Sequence, residues 1–494
     1  MPFDRYRDVI PDFDQFLDFA SRPEPTTIRV RSGRIGEETL VGRLERQGFG
    51  LRALVGQPGF FQVEREPKPI ALTLEHWLGL FYVQRASTGI AAPALGPRPG
   101  ERVLDLCAAP GGKTTHMADL MEDRGPLVAV EPSESRIRAL AGNIYRTAHV
   151  NVMTVAADGR FLPGGALFDR VLVDAPCSAE GTVREGRGRV RRRTDRFTDY
   201  VTGLQEALLR RAIELTRPGG TVLYSTCTFA PEENEAVVSA VLGDAPVDLV
   251  PLHLEVPAAP GLTAFEGLRF DGRLVGAARV YPHHLDSGGL FLALLRKDPS
   301  DSDSPSGSSP DRGWSPIPGA SPPGGDPADG SLRDRRIEAV NEALGDTWQV
   351  DPRLLGDIGW LIRNDRVWAH GCAEWPFEAW AGQGGWSSVS VGLRAFSFDS
   401  GGLPRPSNDF FRWLGGEAGG RGIDLDPGEW RALLRGEPVG VRGMPDGYVA
   451  LRLSGLNVGR GFVRGGTLRH EIPGVHKRSL RRILEIDTGG EATS

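Results

Sequence analysis

The sequence predicts an α/β fold: a parallel, doubly wound sheet, preceded by a small α+β module and followed by a separate C-terminal domain. Three observations predict it. Strand-like and helix-like patterns alternate strictly from Val103 to about residue 241. A glycine turn, Pro110-Gly111-Gly112, leads from the first of these strands into a helix. The later strands end on polar residues. Strands alternating with helices of ten or more residues imply right-handed βαβ units and a parallel sheet. Such a sheet takes its ligand across the carboxyl ends of its strands.

Composition bounds the rest. A chain of 494 residues holds about three domains. The formal net charge of -6 argues against a protein that coats nucleic acid wholesale, but leaves room for a local basic groove. Four cysteines with no C-x-x-C pair argue against a metal site or a disulfide framework, and fit a reduced, cytoplasmic setting. The N-terminus has no basic region leading into an apolar core, so no signal peptide is expected. No apolar run approaches the ~18–20 residues of a spanning helix.

In chain order, Phe13, Phe16, Leu17 and Phe19 have helical spacing, and the helix should end near Arg22-Pro23. Thr26 to Arg31 alternates like a strand, Glu38 to Gly48 reads as a helix and Gly59 to Val63 as a strand. Residues 1–72 are thus the N-terminal module, and Leu72 to Tyr82 is expected to be a helix entering the main domain over 73–297. There, strands are expected at 102–107, 126–131, 150–155, 169–174 and 220–225, with helices at 114–122, 133–146, 203–216 and 231–241. A last strand is expected over Gly289 to Leu295. Residues 298–332 are rich in Asp, Ser, Pro and Gly; such a segment cannot offset its ordering entropy and reads as a flexible linker. From Arg333 to about residue 485, tryptophans at 348, 360, 368, 375, 380, 386, 413 and 430 mark a further folded domain, most of them as core.

The strand ends carry the chemistry. Gly111 and Gly112 let a ligand approach the backbone, and the following helix start offers free N–H groups. The spacing is neither a P-loop nor G-x-G-x-x-G. Glu131 at the second strand end suits two ribose hydroxyls, Asp158 after the third can accept from an adenine amine, and Asp174 ends the fourth. Each alone could merely cap the next helix; the ordered series describes a nucleoside site. Cys177 follows the fourth strand and Cys227 the fifth, so adjacent strand ends bring both to one crevice. Cys107, closing an apolar strand, reads as packing.

These stretches are similar to the RNA cytosine-5 methyltransferases of the Sun type. The resemblance is carried by Leu104-Asp-Leu-Cys-Ala-Ala-Pro-Gly-Gly-Lys113, Asp174-Ala-Pro-Cys-Ser178, Pro218-Gly-Gly220, Tyr224-Ser-Thr-Cys-Thr228 and Pro231-Glu-Glu-Asn-Glu235, with Tyr82-Val-Gln84, Tyr281-Pro-His283 and Gly288-Gly289. It spans residues 1 to 297. It implies a Rossmann-like core that binds S-adenosylmethionine through Cys107, Ala108, Ala109, Pro110, Gly111, Gly112, Lys113, Glu131, Asp158 and Asp174. No metal is implied. By the same resemblance, Cys227 is the nucleophile that adds to carbon 6 of cytosine, and Cys177 aids release. The DNA-acting cytosine methyltransferases instead take their nucleophile from the Pro-Cys motif. Asp174 is implied to lie near the base. Lys113 and the helix expected near Pro231 are candidate positive influences on Cys227, although Lys113 could simply cap its own turn. Glu131 stands where Asp is commoner in the family, Arg85 where an acid is usual and Ala179 where glycine is usual.

The target base must leave its stack. The arginines at 184, 187, 189, 191, 192, 193 and 196 read as a phosphate-contact strip beside the crevice, which Arg29 and Arg31 would extend. The end of the chain, from Gly447 through Gly455-Leu456-Asn457-Val458-Gly459 to Leu480, resembles the PUA-like RNA-binding tail of bacterial members acting on small-subunit ribosomal RNA. The expectation is therefore a monomeric RNA cytosine-5 methyltransferase acting on ribosomal RNA. The alternatives are a tRNA enzyme of the same family and a catalytically silent ribosome-assembly factor, against which the presence of both cysteines argues.

Overall fold

The computed structural model describes residues 3–184, 194–300, 314, 332–363, 365–372, 374–376, 380, 382–415 and 420–487. Arginines 187, 189 and 191–193, and nearly all of the segment expected to be a linker, lie outside the described residues.

The N-terminal module opens with helix α1 (Phe13–Ser21) and builds an antiparallel sheet from β1 (Thr27–Val30), β2 (Gly50–Ala53), β3 (Phe60–Arg65) and β4 (Phe81–Val83), in the order β2-β3-β1-β4. Helix α2 (Glu37–Glu45) lies between β1 and β2. The helix expected over 72–82 is only one turn, α3 (Leu74–Trp77). Gly79, at φ +70°, ends it, and a Cβ there would strike the Arg146 carbonyl at 1.9 Å. The chain then extends as β4, so the module's sheet takes its fourth strand from beyond residue 72.

The main sheet contains β5 (Val103–Asp105), β6 (Leu127–Glu131), β7 (Val152–Ala157), β8 (Phe168–Asp174) and β9 (Thr216–Thr226), parallel in the order β9-β8-β5-β6-β7. The strand order reverses at β5, between β8 and β6, which is where a doubly wound sheet opens a crevice. Four helices, α4 (Ala91–Leu95), α5 (Gly112–Leu120), α6 (Glu134–Thr147) and α7 (Asp195–Leu215), accompany these strands, and α8 (Glu235–Asp244) follows β9. The strands are buried on both faces: every residue of β5 and β6 is below 2% exposed. Such near-continuous Val/Leu/Ala runs are what a sheet covered on both sides requires.

Beyond β9 come β10 (Val247–Val250), β11 (Ala259–Pro260), the hairpin β12 (Ala264–Phe265) and β13 (Leu268–Arg269), then β14 (Ala278–Val280) and β15 (Leu290–Lys297). β15 is the strand expected near 289–295. It runs antiparallel to β9, with Phe291 opposite Thr226.

The C-terminal half supplies β16 (Gly359–Arg363), β17 (Arg366–His370), β18 (Trp386–Val391), β19 (Leu393–Phe398) and β20 (Pro404–Pro406). It closes with a five-stranded sheet of β21 (Gly422–Asp424), β22 (Val439–Gly440), β23 (Gly447–Leu453), β24 (Leu456–Arg464) and β25 (Thr467–His470). It is not self-contained. β18 leaves its neighbours and pairs antiparallel with β7, placing Ser390 beside Thr154 on the far edge of the main sheet. Trp375 and Trp380 are wholly buried in the same apolar cluster as Leu104, Val128 and Phe168. The last sheet shares a second cluster with the N-terminal module, Trp430 and Leu451 with Ile28 and Phe81. Within the expected linker, Trp314 is buried edge-on against Phe168, its ring centroid 5.6 Å away, and its Nε1 donates to Leu167 O; at that residue the segment is anchored. No helix among the described residues is long and apolar enough to cross a membrane.

Candidate active site

The turn after β5 positions the first wall of the site. Asp105 closes the strand, Cys107 to Pro110 cross the sheet end, and Gly111 turns the chain at φ +108° into α5. A side chain there would be strained, so only glycine makes this turn without cost. A cavity of about 630 Å³ opens against it, within the usual size of a small-molecule site. Cys107, Ala108, Ala109, Pro110, Gly112 and Lys113 line one side. Asp174, Cys177 and Cys227 line another, and Tyr82, Gln84 and Arg85 of the N-terminal module face them.

The two thiols meet: Cys177 Sγ and Cys227 Sγ are 3.4 Å apart. β8 and β9 pair with Asp174 opposite Ser225, so their ends lie side by side. Gly181 N–H donates to Cys227 O at 2.7 Å, and a Cβ on Gly181 would lie 2.5 Å from that oxygen. The hydrogen bond from Cys177 draws the Cys227 thiol below its ordinary range; burial and Asp174 oppose this, while Lys113 and Arg85 assist it. Cys177 is raised by the same hydrogen bond and by burial. Cys107 is raised by burial and then by surrounding carboxylates. Both causes favour its neutral thiol form, and it lines the cavity beside the glycine turn.

Lys113 does not cap its own turn. Its Nζ lies 2.6 Å from Asp174 Oδ2, and Ser225 Oγ donates to Asp174 Oδ1 at 3.0 Å. The lysine thus fixes the carboxylate beside the two thiols. The helix expected at Pro231 begins only at Glu235. Residues 231–234 form a turn, and its Asn234 ties back to Thr226 and Thr228 O.

Of the strand-end acids, Glu131 is 1% exposed. Its Oε1 accepts from Ser133 N–H, while Oε2 makes no hydrogen bond although Arg136 Nη1 lies 3.3 Å away. Asp158 caps the turn that follows it, accepting from Arg160 N–H, and also pairs with the Arg160 guanidinium at 2.6 Å. Neither acid is among the residues lining the cavity. Asp105, which sequence reasoning did not single out, does line it. Its Oδ2 accepts from Thr114 Oγ1 at 2.7 Å, Oδ1 is buried without a hydrogen bond, and burial pushes the carboxyl up to about 7. Its only sequence signal was the acid inside Leu104-Asp105-Leu106. No cluster able to hold a metal occurs among the described residues.

Three of the arginines read as phosphate contacts are buried or internally committed. Arg184 bonds to Asp286 and to the Arg22 and Pro23 carbonyls. Arg29 and Arg31 both pair with Asp119 of α5, and Arg31 also pairs with Asp123. β1 is covered on both faces, so its alternation does not turn the arginines to solvent.

The family model for 16S rRNA methyltransferase RsmB/F matches residues 92–296. The chain is 31% identical over 454 residues to the ribosomal RNA small subunit methyltransferase F of Cronobacter sakazakii, covering 88% of this chain and 86% of that protein. It is 36% identical over 308 residues to the enzyme of the same name from Erwinia tasmaniensis, an alignment that spans 60% of this chain and 62% of that relative. A crystal structure of a methyltransferase homologue from Pyrococcus horikoshii superposes with a TM-score of 0.54 at 34% identity, covering 60% of this chain and 93% of the other.

Proposed function

The chain belongs to the 16S rRNA methyltransferase RsmB/F family, and from that premise we propose that it transfers a methyl group from S-adenosylmethionine to carbon 5 of a cytidine in ribosomal RNA. The observation that carries this reading is the pair of thiols 3.4 Å apart on the wall of the cavity that holds the glycine turn. A methyltransferase acting on an already nucleophilic atom has no use for two cysteines there.

The residues present suit the donor. The glycine turn leaves backbone room, and Asp105 keeps a buried oxygen without a hydrogen bond on the cavity wall, as a ligand's amine would require. Bound S-adenosylmethionine supplies an electrophilic methyl group. The protein must then make cytosine carbon 5 a nucleophile. Cys227, drawn toward thiolate, adds through Sγ to carbon 6, and electron density moves to carbon 5. Asp174, held by Lys113 and Ser225, accepts from the exocyclic amine, and the Lys113 ammonium beside it offsets the negative charge that develops on the ring. After methyl transfer, the carbon 5 proton leaves with help from Cys177 and the Cys227–carbon 6 bond breaks. Covalent catalysis divides one difficult step into easier ones. We read the C-terminal half as a PUA-like RNA-binding domain; exposed Arg478, Arg481 and Arg482 on its last helix support a phosphate contact.

Cys227→Ala should abolish 5-methylcytidine formation on ribosomal RNA. Cys177→Ala should trap a protein–RNA adduct that survives a denaturing gel. Full activity in Cys227→Ala would overturn the mechanism. Bisulfite mapping of total RNA from a deletion strain tests the substrate; loss of methylation confined to tRNA would overturn the ribosomal assignment.

A further inference from the structure

The two cysteines are held in different ways. Cys227 directly follows β9, which is laddered on both sides, to β8 and β15. Cys177 lies three residues beyond the end of β8, in a stretch without regular structure. Its two neighbours find their partners in side chains. Pro176 O accepts from Gln205 Nε2 at 2.8 Å, and Ser178 N–H donates to Glu233 Oε2 at 2.8 Å. Gln205 Nε2 also donates to the same Glu233 oxygen at 3.1 Å. Both residues are 0% exposed. Glu233 is itself fixed, because its carbonyl accepts from Tyr224 Oη at 2.6 Å. A third tie, Ser178 Oγ to Thr228 Oγ1 at 2.7 Å, joins the loops that carry the two thiols.

We propose that Glu233 and Gln205 are positioning residues that brace the peptide units on either side of Cys177 and so set its thiol against Cys227. A carboxylate suits the task because one charged oxygen can hold two donors at once. The side-chain contacts of Gln205 and Glu233 go to the peptides flanking Cys177, so their loss acts chiefly on product release, with the addition by Cys227 slowed less. This inference rests on the reading proposed above.

The test uses the full-length protein with unmodified ribosomal RNA and S-adenosylmethionine. It follows turnover and the covalent adduct separately, beside the wild type and Cys227→Ala. In Glu233→Ala, turnover should fall about 100-fold, as a displacement of about 1 Å in an active site can cost, while the adduct accumulates as it does in Cys177→Ala. Glu233→Gln keeps an oxygen for Ser178 N–H and should recover much of the turnover. Gln205→Leu removes the Pro176 contact from α7 and should also accumulate adduct, which carries the test if Glu233→Ala misfolds. Adduct and turnover falling together in variants that melt like the wild type would overturn the brace. Turnover by wild type without any adduct in Cys177→Ala would instead overturn the underlying reading.

Discussion

Two thiols in contact cannot titrate independently, and the structure assigns the easier ionisation to Cys227. The first cause is the hydrogen bond from Cys177, which leads to a direct expectation. The rate of Cys227 alkylation by iodoacetamide, followed against pH, should show a higher midpoint in Cys177→Ala than in wild type, because the donor that stabilises the thiolate is gone. An unmoved midpoint would pass the role to Lys113 and Arg85. At this scale the sequence points to the groups that meet in the cavity and is silent about their supports. Cys227, Cys177 and Asp174 stand in compact motifs at strand ends, where chemistry is legible. Asp105, Glu233 and Gln205 look like an ordinary strand residue, a member of an acidic turn and a helix glutamine. What distinguishes Gln205 and Glu233 is which buried atoms they meet across 28 to 55 residues of chain, as with Gln205 and Glu233 or Ser178 and Glu233, and no local pattern encodes that.

The elements show the converse. The parallel strands of the main sheet were predicted to within a few residues, because long apolar runs bounded by glycine or polar residues have few other readings. β1 was also found, but its arginines were assigned to the wrong environment. An alternating strand suggests one wet face, whereas β1 sits between β3 and β4 with α5 across it, and Asp119 takes both guanidinium groups. The cluster continues through Asp123, which burial would raise but Arg31 and His149 hold down at about 2. Removing one partner of such a buried set strands the others without compensation. Asp119→Ala should therefore lower unfolding free energy by about 3–5 kcal/mol, measured by urea denaturation. A loss below ~1 kcal/mol, the range of surface ion pairs, would show that the cluster does not join the module to the α5 helix.

For the molecule as a whole, composition shifts suggested domains in sequence, and the tertiary structure interleaves them. Most of the C-terminal tryptophans are core, as expected, but partly the core of the main domain, and β18 closes that domain's sheet along β7. A chain ending at residue 300 would bare the β7 edge, whose unpaired N–H and C=O groups template association. It should scatter light at concentrations where the full chain remains monodisperse. A monodisperse, folded truncation would show that β18 is dispensable there. Short-range patterning could not have revealed this pairing, since Trp386 and Ala157 meet only after more than two hundred intervening residues.

The same joint has a mechanical meaning. A strand hydrogen-bonded into a covered sheet is no hinge, so β18 cannot swing away from β7 without breaking backbone bonds. The last helix packs through Leu480 and Leu484 with Ile28 and Phe81 of the N-terminal module, so on the function proposed above RNA held there sits at a set span from Cys227. On the function proposed above, the β7–β18 ladder would make the protein a ruler, choosing its cytidine partly by how far that base lies from a distant point of grip.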